Sequence, residues 1–160
     1  MHQQALVVGD PDFSGWTKED GKQLEQLKGA KKEAKTVDAE LDDSHDVELL
    51  RDKKAKMETV VEHMLKSDVV HLATHGAPDG LIFAGGSEAE ATLSMAEVQS
   101  LELQARLVVL SECDSFRGTL TADGVIGVTR AFVAAGALTL VASLWKVDDD
   151  ATLALMSHFY

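Results

Sequence analysis

The sequence predicts an α/β domain in which a mostly parallel central sheet is covered by helices on both faces. Apolar runs typical of buried strands alternate along the 160 residues with segments that repeat apolar residues at helical spacing. The strand-like runs are almost continuously apolar, as expected where both faces of a sheet are covered. Hydrophobic residues make up 45% of the chain, which is enough for a core of ordinary size.

The first half of the chain supplies three predicted strands and two predicted helices. Residues 5–9 form a short apolar run that ends in glycine, 46–50 form a second strand, and 68–74 form the clearest strand of the three. Residues 22–41 and 53–66 repeat apolar side chains at helical spacing, with charged residues between them. Strands and helices therefore alternate, as in a parallel α/β unit.

The second half begins with a short predicted strand over residues 81–84. Ser94 and Glu97 stand three residues apart in the pattern of a capping box, which predicts that a short helix begins there. Residues 106–111 contain four consecutive aliphatic side chains and predict another buried strand.

The last third of the chain predicts a further helix, strand and helix. Residues 124–135 form an apolar helix, and Gly136 suits its C-terminal cap. Residues 138–145 are again strand-like. The aspartates at 148–150 favour the start of a final helix, because carboxylates are stabilised by the positive end of the helix dipole.

The final helical pattern runs to the last two residues, Phe159 and Tyr160, without a capping residue. An apolar, aromatic end of this kind is typical of a domain that continues. No proline-, glycine- or serine-rich linker divides residues 1–160. We therefore expect one domain over residues 1–160 that is truncated at its C-terminus.

Charge and cysteine content narrow the classes of function. The chain carries 27 acidic and 15 basic residues, a net charge of −12, so we expect no nucleic-acid or anionic-membrane partner. No apolar run reaches 18 residues, and residues 1–10 lack the features of a secretion signal. The single cysteine, Cys113, has no partner for an internal disulfide, which favours a cytoplasmic location.

Polar residues follow three of the predicted strands directly. They are His75 and Gly76 after the strand over 68–74, the segment 113–115 after the strand over 106–111, and the segment 146–150 near the last strand. In parallel sheets, ligands bind at the carboxyl ends of strands. These three clusters are therefore expected to meet at one edge of the sheet.

Cys113 and His75 are the residue types of a nucleophile and its base. A thiolate is a good nucleophile, and a nearby imidazole can take its proton. The alternatives are a buried, unreactive thiol at Cys113 and a loop histidine with an ordinary hydrogen bond at His75. We expect His71 to be buried and hydrogen-bonded. No metal-ligand set and no nucleotide-binding motif is present, so no metal or cofactor is expected.

Three segments, taken together, resemble one known family. They are DVVHLATHG at 68–76, RLVVLSEC at 106–113 and the stretch 127–160, and each occurs in the expected order. They resemble the CHAT domain, a caspase-like domain usually found beside tetratricopeptide repeats. Residues 5–13 (ALVVGDPDF) are similar to the start of the same domain.

The resemblance implies a caspase-like three-layer sandwich and the chemistry of the caspase, separase and gingipain group of cysteine peptidases. By correspondence of motifs, His75 matches the catalytic histidine and Cys113 the nucleophile. The backbone N–H groups of Gly76 and Cys113 match the oxyanion hole. Ser111 matches a position near the wall of the substrate pocket. The substrate would be a protein or peptide, and the parent protein would carry tetratricopeptide repeats.

The sequence also departs from the family pattern. Glu112 stands before the nucleophile where the family often has a small residue, although strand alternation directs it away from Cys113. This departure leaves a second hypothesis open: an inactive, caspase-like scaffold or protein-interaction domain. Asp114 and Asp148 lie on loops at the predicted site and suggest a basic P1 residue, the alternative being that the aspartates at 148–150 cap a helix.

Overall fold

The computed structural model describes residues 3–16, 21, 23–77, 80–111, 122–142 and 149–160. In chain order its strands are β1 (Gln3–Pro11), β2 (His45–Asp52), β3 (Val69–Ala73), β4 (Gly76–Ala77), β5 (Gly80–Ile82), β6 (Thr92–Ser94), β7 (Leu107–Ser111) and β8 (Thr139–Ala142). Its helices are α1 (Lys28–Leu41), α2 (Met57–Met64), α3 (Glu88–Ala91), α4 (Met95–Gln99), α5 (Ala122–Ala134) and α6 (Asp149–Phe159).

Five of these strands form a parallel central sheet in the order β2-β1-β3-β7-β8. The chain leaves β1 towards β2 on one side and then crosses back to β3 on the other side of β1. The direction of winding therefore reverses between β1 and β3, which is where ligands bind in open α/β sheets. The strands β4, β5 and β6 form a separate antiparallel sheet.

Alternate residues of β1 enter two different hydrophobic clusters, one on each face of the sheet. Leu6 and Val8 lie in a cluster with Phe132 of α5 and with residues of α2. Ala5 and Val7 lie in a cluster with Val37 of α1 and with a residue of α6. Helices thus cover both faces, because the side chains of a strand point alternately to opposite sides. The predicted three-layer α/β architecture is confirmed.

The two predicted signals at helix ends are also confirmed. The Ser94 hydroxyl accepts a hydrogen bond from the Glu97 backbone N–H at 3.1 Å and donates one to the Glu97 carboxylate at 3.1 Å. Gly136 follows α5 with φ of 112°, a left-handed conformation that favours glycine.

Some predicted boundaries need correction. The helix predicted over 22–41 begins only at Lys28. The helix predicted over 53–66 is confined to Met57–Met64, because residues 53–54 form a turn after β2. The strand predicted over 81–84 belongs to the antiparallel sheet as β5. Of the strand predicted over 138–145, residues 143–145 lie outside the described part of the chain.

No helix among the described residues is long and apolar enough to cross a membrane.

The amino ends of β3 and β7 are joined by a two-point ion pair. Arg106 donates from Nε and Nη2 to the two carboxylate oxygens of Asp68, at 2.7 and 2.9 Å. These hydrogen bonds hold the pKa of Asp68 below its usual range, and a weaker contribution comes from His45. A carboxyl whose pKa is lowered by folding stabilises the native state above its unfolded pKa, and this stabilisation is lost as the pH falls.

We therefore expect Asp68→Asn to lower the free energy of unfolding at neutral pH, with a difference from wild type that shrinks as the pH falls below the ordinary carboxyl range of about 4. Urea unfolding at several pH values measures this difference. Asp46→Asn is a suitable control, because Asp46 is an exposed carboxylate without an ion pair among the described residues. A destabilisation by Asp68→Asn that stays the same at all pH values would contradict the assignment.

Candidate functional site

His75 lies just beyond the carboxyl end of β3 and is 95% buried, with 5% of its surface exposed. Its Nε2 lies 2.8 Å from the backbone carbonyl oxygen of Glu25. The ring of Phe13 packs edge-on against the imidazole, with 4.7 Å between ring centroids. Because a carbonyl only accepts hydrogen bonds, Nε2 carries a proton, and in the neutral ring Nδ1 is then the basic nitrogen.

The segment that presents the Glu25 carbonyl is tied to the end of β1. Asp10 accepts hydrogen bonds from the Leu27 backbone N–H at 2.6 Å and from the Gln26 side-chain amide at 2.8 Å. Gln26 in turn accepts from the backbone N–H of Phe13 at 3.2 Å. Burial raises the pKa of the Asp10 carboxyl, although these hydrogen bonds partly oppose it. The Glu25 carbonyl and the Phe13 ring, which both contact His75, therefore lie next to the hydrogen bonds of Asp10 at the end of β1.

The chain after His75 continues into the small antiparallel sheet. The carbonyl of His75 accepts a hydrogen bond from the Ile82 N–H at 2.9 Å, and the Thr74 hydroxyl donates to the Ile82 carbonyl. Gly76 begins β4 and pairs with Leu81 of β5. The backbone of the predicted oxyanion-hole residue is thus placed by strand pairing, while its role in binding an oxyanion stays a prediction.

The neighbouring strand, β7, leads towards the predicted nucleophile. Ala73 of β3 is paired with Ser111 of β7, so His75 and Cys113 each stand two residues beyond a paired position. Ser111 is fully buried, and its hydroxyl has no hydrogen-bond partner in the described part of the chain. Cys113 and Asp114 lie in the segment 112–121, and Asp148 lies in 143–148; both segments are outside the described residues.

An open cleft of about 630 Å³ lies between the residues that follow β2 and those that follow β5, and neither His75, Gly76 nor Ser111 lines it. Asp12 lines the cleft and directly precedes Phe13, whose ring contacts His75. Lys53 and Lys56 contribute positive charge to the cleft, and Glu58 is among its acidic residues.

Sequence reasoning named His75, Gly76 and Ser111 as candidates but missed the residues that contact the imidazole. Asp10 and Phe13 come shortly after the predicted strand over residues 5–9. Position near the end of a strand is only a weak indication that a residue belongs to a site. Glu25 contributes only its carbonyl, which every residue possesses. No group of three or more potential metal ligands occurs among the residues that the structure describes.

The winding reversal between β1 and β3, with an oriented and buried histidine beside it, defines a three-layer α/β protein with a candidate catalytic edge. A family model described as the CHAT domain matches residues 1–160. The chain therefore belongs to the CHAT-domain family, a caspase-like family related to peptidases.

Two curated relatives share part of the sequence. Tetratricopeptide repeat protein 28 of Homo sapiens is 44% identical over 71 residues, and that of Mus musculus is 41% identical over 71 residues. Each match covers 44% of this chain and 3% of the relative, so the chain spans a small fraction of the length of these proteins. Among solved structures, a flavodoxin of Streptococcus pneumoniae TIGR4 is similar with a TM-score of 0.49 and 15% identity, over 98% of this chain and 95% of that chain.

Proposed function

We propose that this chain is a cysteine endopeptidase domain that uses a dyad of His75 and Cys113. One observation carries the proposal. The imidazole of His75 is buried where the winding of the sheet reverses between β1 and β3, and the Glu25 carbonyl holds it through Nε2. An acceptor that orients one ring nitrogen fixes the tautomer of the imidazole, as in the general bases of other enzymes. The pairing of β3 with β7 supports Cys113 as its partner.

The dyad would cleave a peptide bond in two stages. Nδ1 of His75 takes the proton of the Cys113 thiol, and the thiolate attacks the carbonyl carbon of the substrate. Backbone N–H groups of Gly76 and Cys113 would stabilise the oxyanion. The C–N bond then breaks, His75 gives its proton to the leaving amine, and water hydrolyses the thioester to free the thiol and the acid.

The proposed substrate is a polypeptide in extended form with a basic P1 residue. Residues 67–160 carry 12 acidic and 4 basic residues, so the half of the chain that contains Cys113 would attract a cationic side chain. Asp114 and Asp148 are the proposed pocket carboxylates. We further propose that the chain functions in the cytoplasm, beside tetratricopeptide repeats like those named in its relatives.

Labelling with a peptidyl acyloxymethyl ketone tests this function. We expect an electrophile with Arg or Lys at P1 to label wild type at Cys113, as mapped by mass spectrometry, and to leave Cys113→Ala unlabelled. The matched reagent with Asp at P1 should react more slowly. Faster reaction of the Asp reagent would contradict the basic preference, and labelling that is independent of the peptide sequence would contradict a substrate pocket.

A second candidate function is a non-catalytic interaction domain. Glu112 favours it, because a carboxylate next to a thiol disfavours the thiolate when both face the same side. An interaction domain would keep the fold and the buried His75 but show no selective reactivity at Cys113. The same labelling experiment therefore discriminates between the two functions.

A further inference from the structure

Three hydrogen-bonded side chains form a chain from α1, across β3, to Tyr160, which directly follows α6 and is partly buried. The side chains of Glu33 and His71 are fully buried, and Glu33 Oε1 lies 2.7 Å from His71 Nε2. The other ring nitrogen, Nδ1, lies 2.8 Å from the hydroxyl of Tyr160. Burial raises the pKa of Tyr160, so its phenol keeps its proton at neutral pH. We name Glu33, His71 and Tyr160 the buried triad.

Burying the polar groups of the triad between a helix and a sheet costs free energy of folding. Glu33 Oε2 has no hydrogen-bond partner among the described residues. A buried carboxylate with an unpaired oxygen destabilises the folded state, and well-packed apolar side chains in its place are often more stabilising. Stability alone therefore does not explain Glu33, whereas hydrogen bonds fix a particular register of one element against another.

The contact between α1 and β1 is made in part by very small residues. Ala30 and Ala34 face Gly9 of β1 so closely that a Cβ at Gly9 would lie 2.4 Å from the Ala34 Cβ. Small side chains on both surfaces let the helix and the strand approach closely, so the interface is tightly packed at this point. A shift of α1 along the sheet would strain the directional hydrogen bond between Glu33 and His71.

The segment that ends in α1 touches both histidines of the β3 region. Glu33, inside α1, contacts His71 within β3, and Glu25, which precedes α1, contacts His75 just beyond β3. Glu25 comes before Glu33 in the chain, whereas its partner His75 comes after His71. The segment that ends in α1 is therefore antiparallel to β3. A shift of α1 along β3 would therefore move the Glu25 carbonyl relative to the His75 imidazole.

We propose that the buried triad positions His75, by holding α1 in the register at which the Glu25 carbonyl meets the imidazole. Glu33 and His71 are then positioning residues. Tyr160 links the end of α6 to them through its hydrogen bond with His71. This inference rests on the proposed function for its catalytic meaning. Its structural content, the coupling of Glu33 to the His75 ring, is independent of that function.

The test compares Glu33→Leu with two reference variants. Glu33→Gln keeps an oxygen that accepts from His71 Nε2, and Val37→Ala weakens the same face of α1 without touching the triad. The first readout is the ¹⁵N–¹H correlation of the His75 imidazole, which reports which ring nitrogen carries the proton. The second is the rate at which the basic peptidyl electrophile labels Cys113.

We expect wild type, Glu33→Gln and Val37→Ala to show His75 protonated at Nε2. Glu33→Leu should show a mixture of tautomers, and its labelling should slow on the order of tenfold or more, because misplacing a reacting group by about 1 Å can cost about a hundredfold. Identical His75 spectra in Glu33→Leu and Val37→Ala would overturn the inference. If Glu33→Leu does not fold, Tyr160→Phe decides: a changed His75 spectrum supports the coupling and an unchanged one refutes it.

The two readouts separate this inference from the proposed function. If wild type shows no selective labelling, the peptidase proposal fails, while the tautomer comparison still decides whether the triad positions His75. If wild type labels and the spectra do not respond to Glu33→Leu, the function stands and the triad is only structural.

Discussion

Substitution of His75 by alanine should slow the modification of Cys113 by a basic peptidyl electrophile, and the hydrolysis of the matching peptide, by about 10²–10⁴-fold. The expected loss is large because, in the proposed mechanism, one imidazole would serve two steps of acylation, first as base towards the thiol and then as acid towards the leaving amine. The Glu25 carbonyl at 2.8 Å already holds the ring in one tautomer, so little of this effect is lost to reorientation.

The control for this prediction is His63→Ala. His63 lies on α2, away from the carboxyl edge of the sheet, and removing it should leave labelling unchanged. The rate of labelling is measured under pseudo-first-order conditions for wild type and both variants. Equal, slow labelling of wild type and His75→Ala would mean that Cys113 is an ordinary thiol. It would favour the second candidate function, an inactive interaction domain.

Substitution of Gly9 by alanine should destabilise the fold by about 1–3 kcal/mol, the usual cost of forcing an extra group into a packed interface. The added Cβ would lie 2.4 Å from the Ala34 Cβ and 2.6 Å from the Ala30 carbonyl oxygen. Neither atom belongs to a flexible side chain, so α1 itself has to move. For a chain of this size the melting temperature should fall by about 2–12 °C.

Gly86→Ala is the matched control for this substitution. Its Cβ would meet only the end of the exposed Glu90 side chain, at 3.1 Å, and that side chain can adjust at the cost of one solvent-exposed hydrogen bond from the Gly86 N–H. Because alanine also restricts the unfolded chain, this variant should be neutral or slightly stabilising. Equal melting temperatures for Gly9→Ala and Gly86→Ala would show that α1 does not approach β1 as closely as the structure indicates.

The strands that carry the site were predictable from the sequence to within one residue at each end. The predicted ranges 68–74 and 106–111 correspond to Val69–Ala73 and Leu107–Ser111. The first is aliphatic apart from His71 and the second is aliphatic up to Ser111, and polar residues follow both. Buried parallel strands have this pattern because both of their faces are covered, so a local feature of the sequence reports a global arrangement.

The start of α1 was predicted six residues too early, because the deciding contact is not local. The side chain of Gln26 and the backbone N–H of Leu27 are bonded by Asp10, which lies 16 and 17 residues earlier in the chain. Helical periodicity continues into this segment, but these bonds draw it towards the end of β1. A tertiary contact therefore overrides the local helical pattern.

By itself the sequence determined the α/β class and the family resemblance, and it predicted His75 and Cys113 as site residues, because aliphatic runs and reactive side chains are properties of residue type. Only the tertiary structure decided what orients His75 and how α1 is held against β3. Those roles fall to the carbonyl of Glu25, the ring of Phe13 and a buried Glu33. A backbone carbonyl has no sequence signature, and a buried carboxylate within a charged helix looks like its exposed neighbours until the fold places it against a histidine.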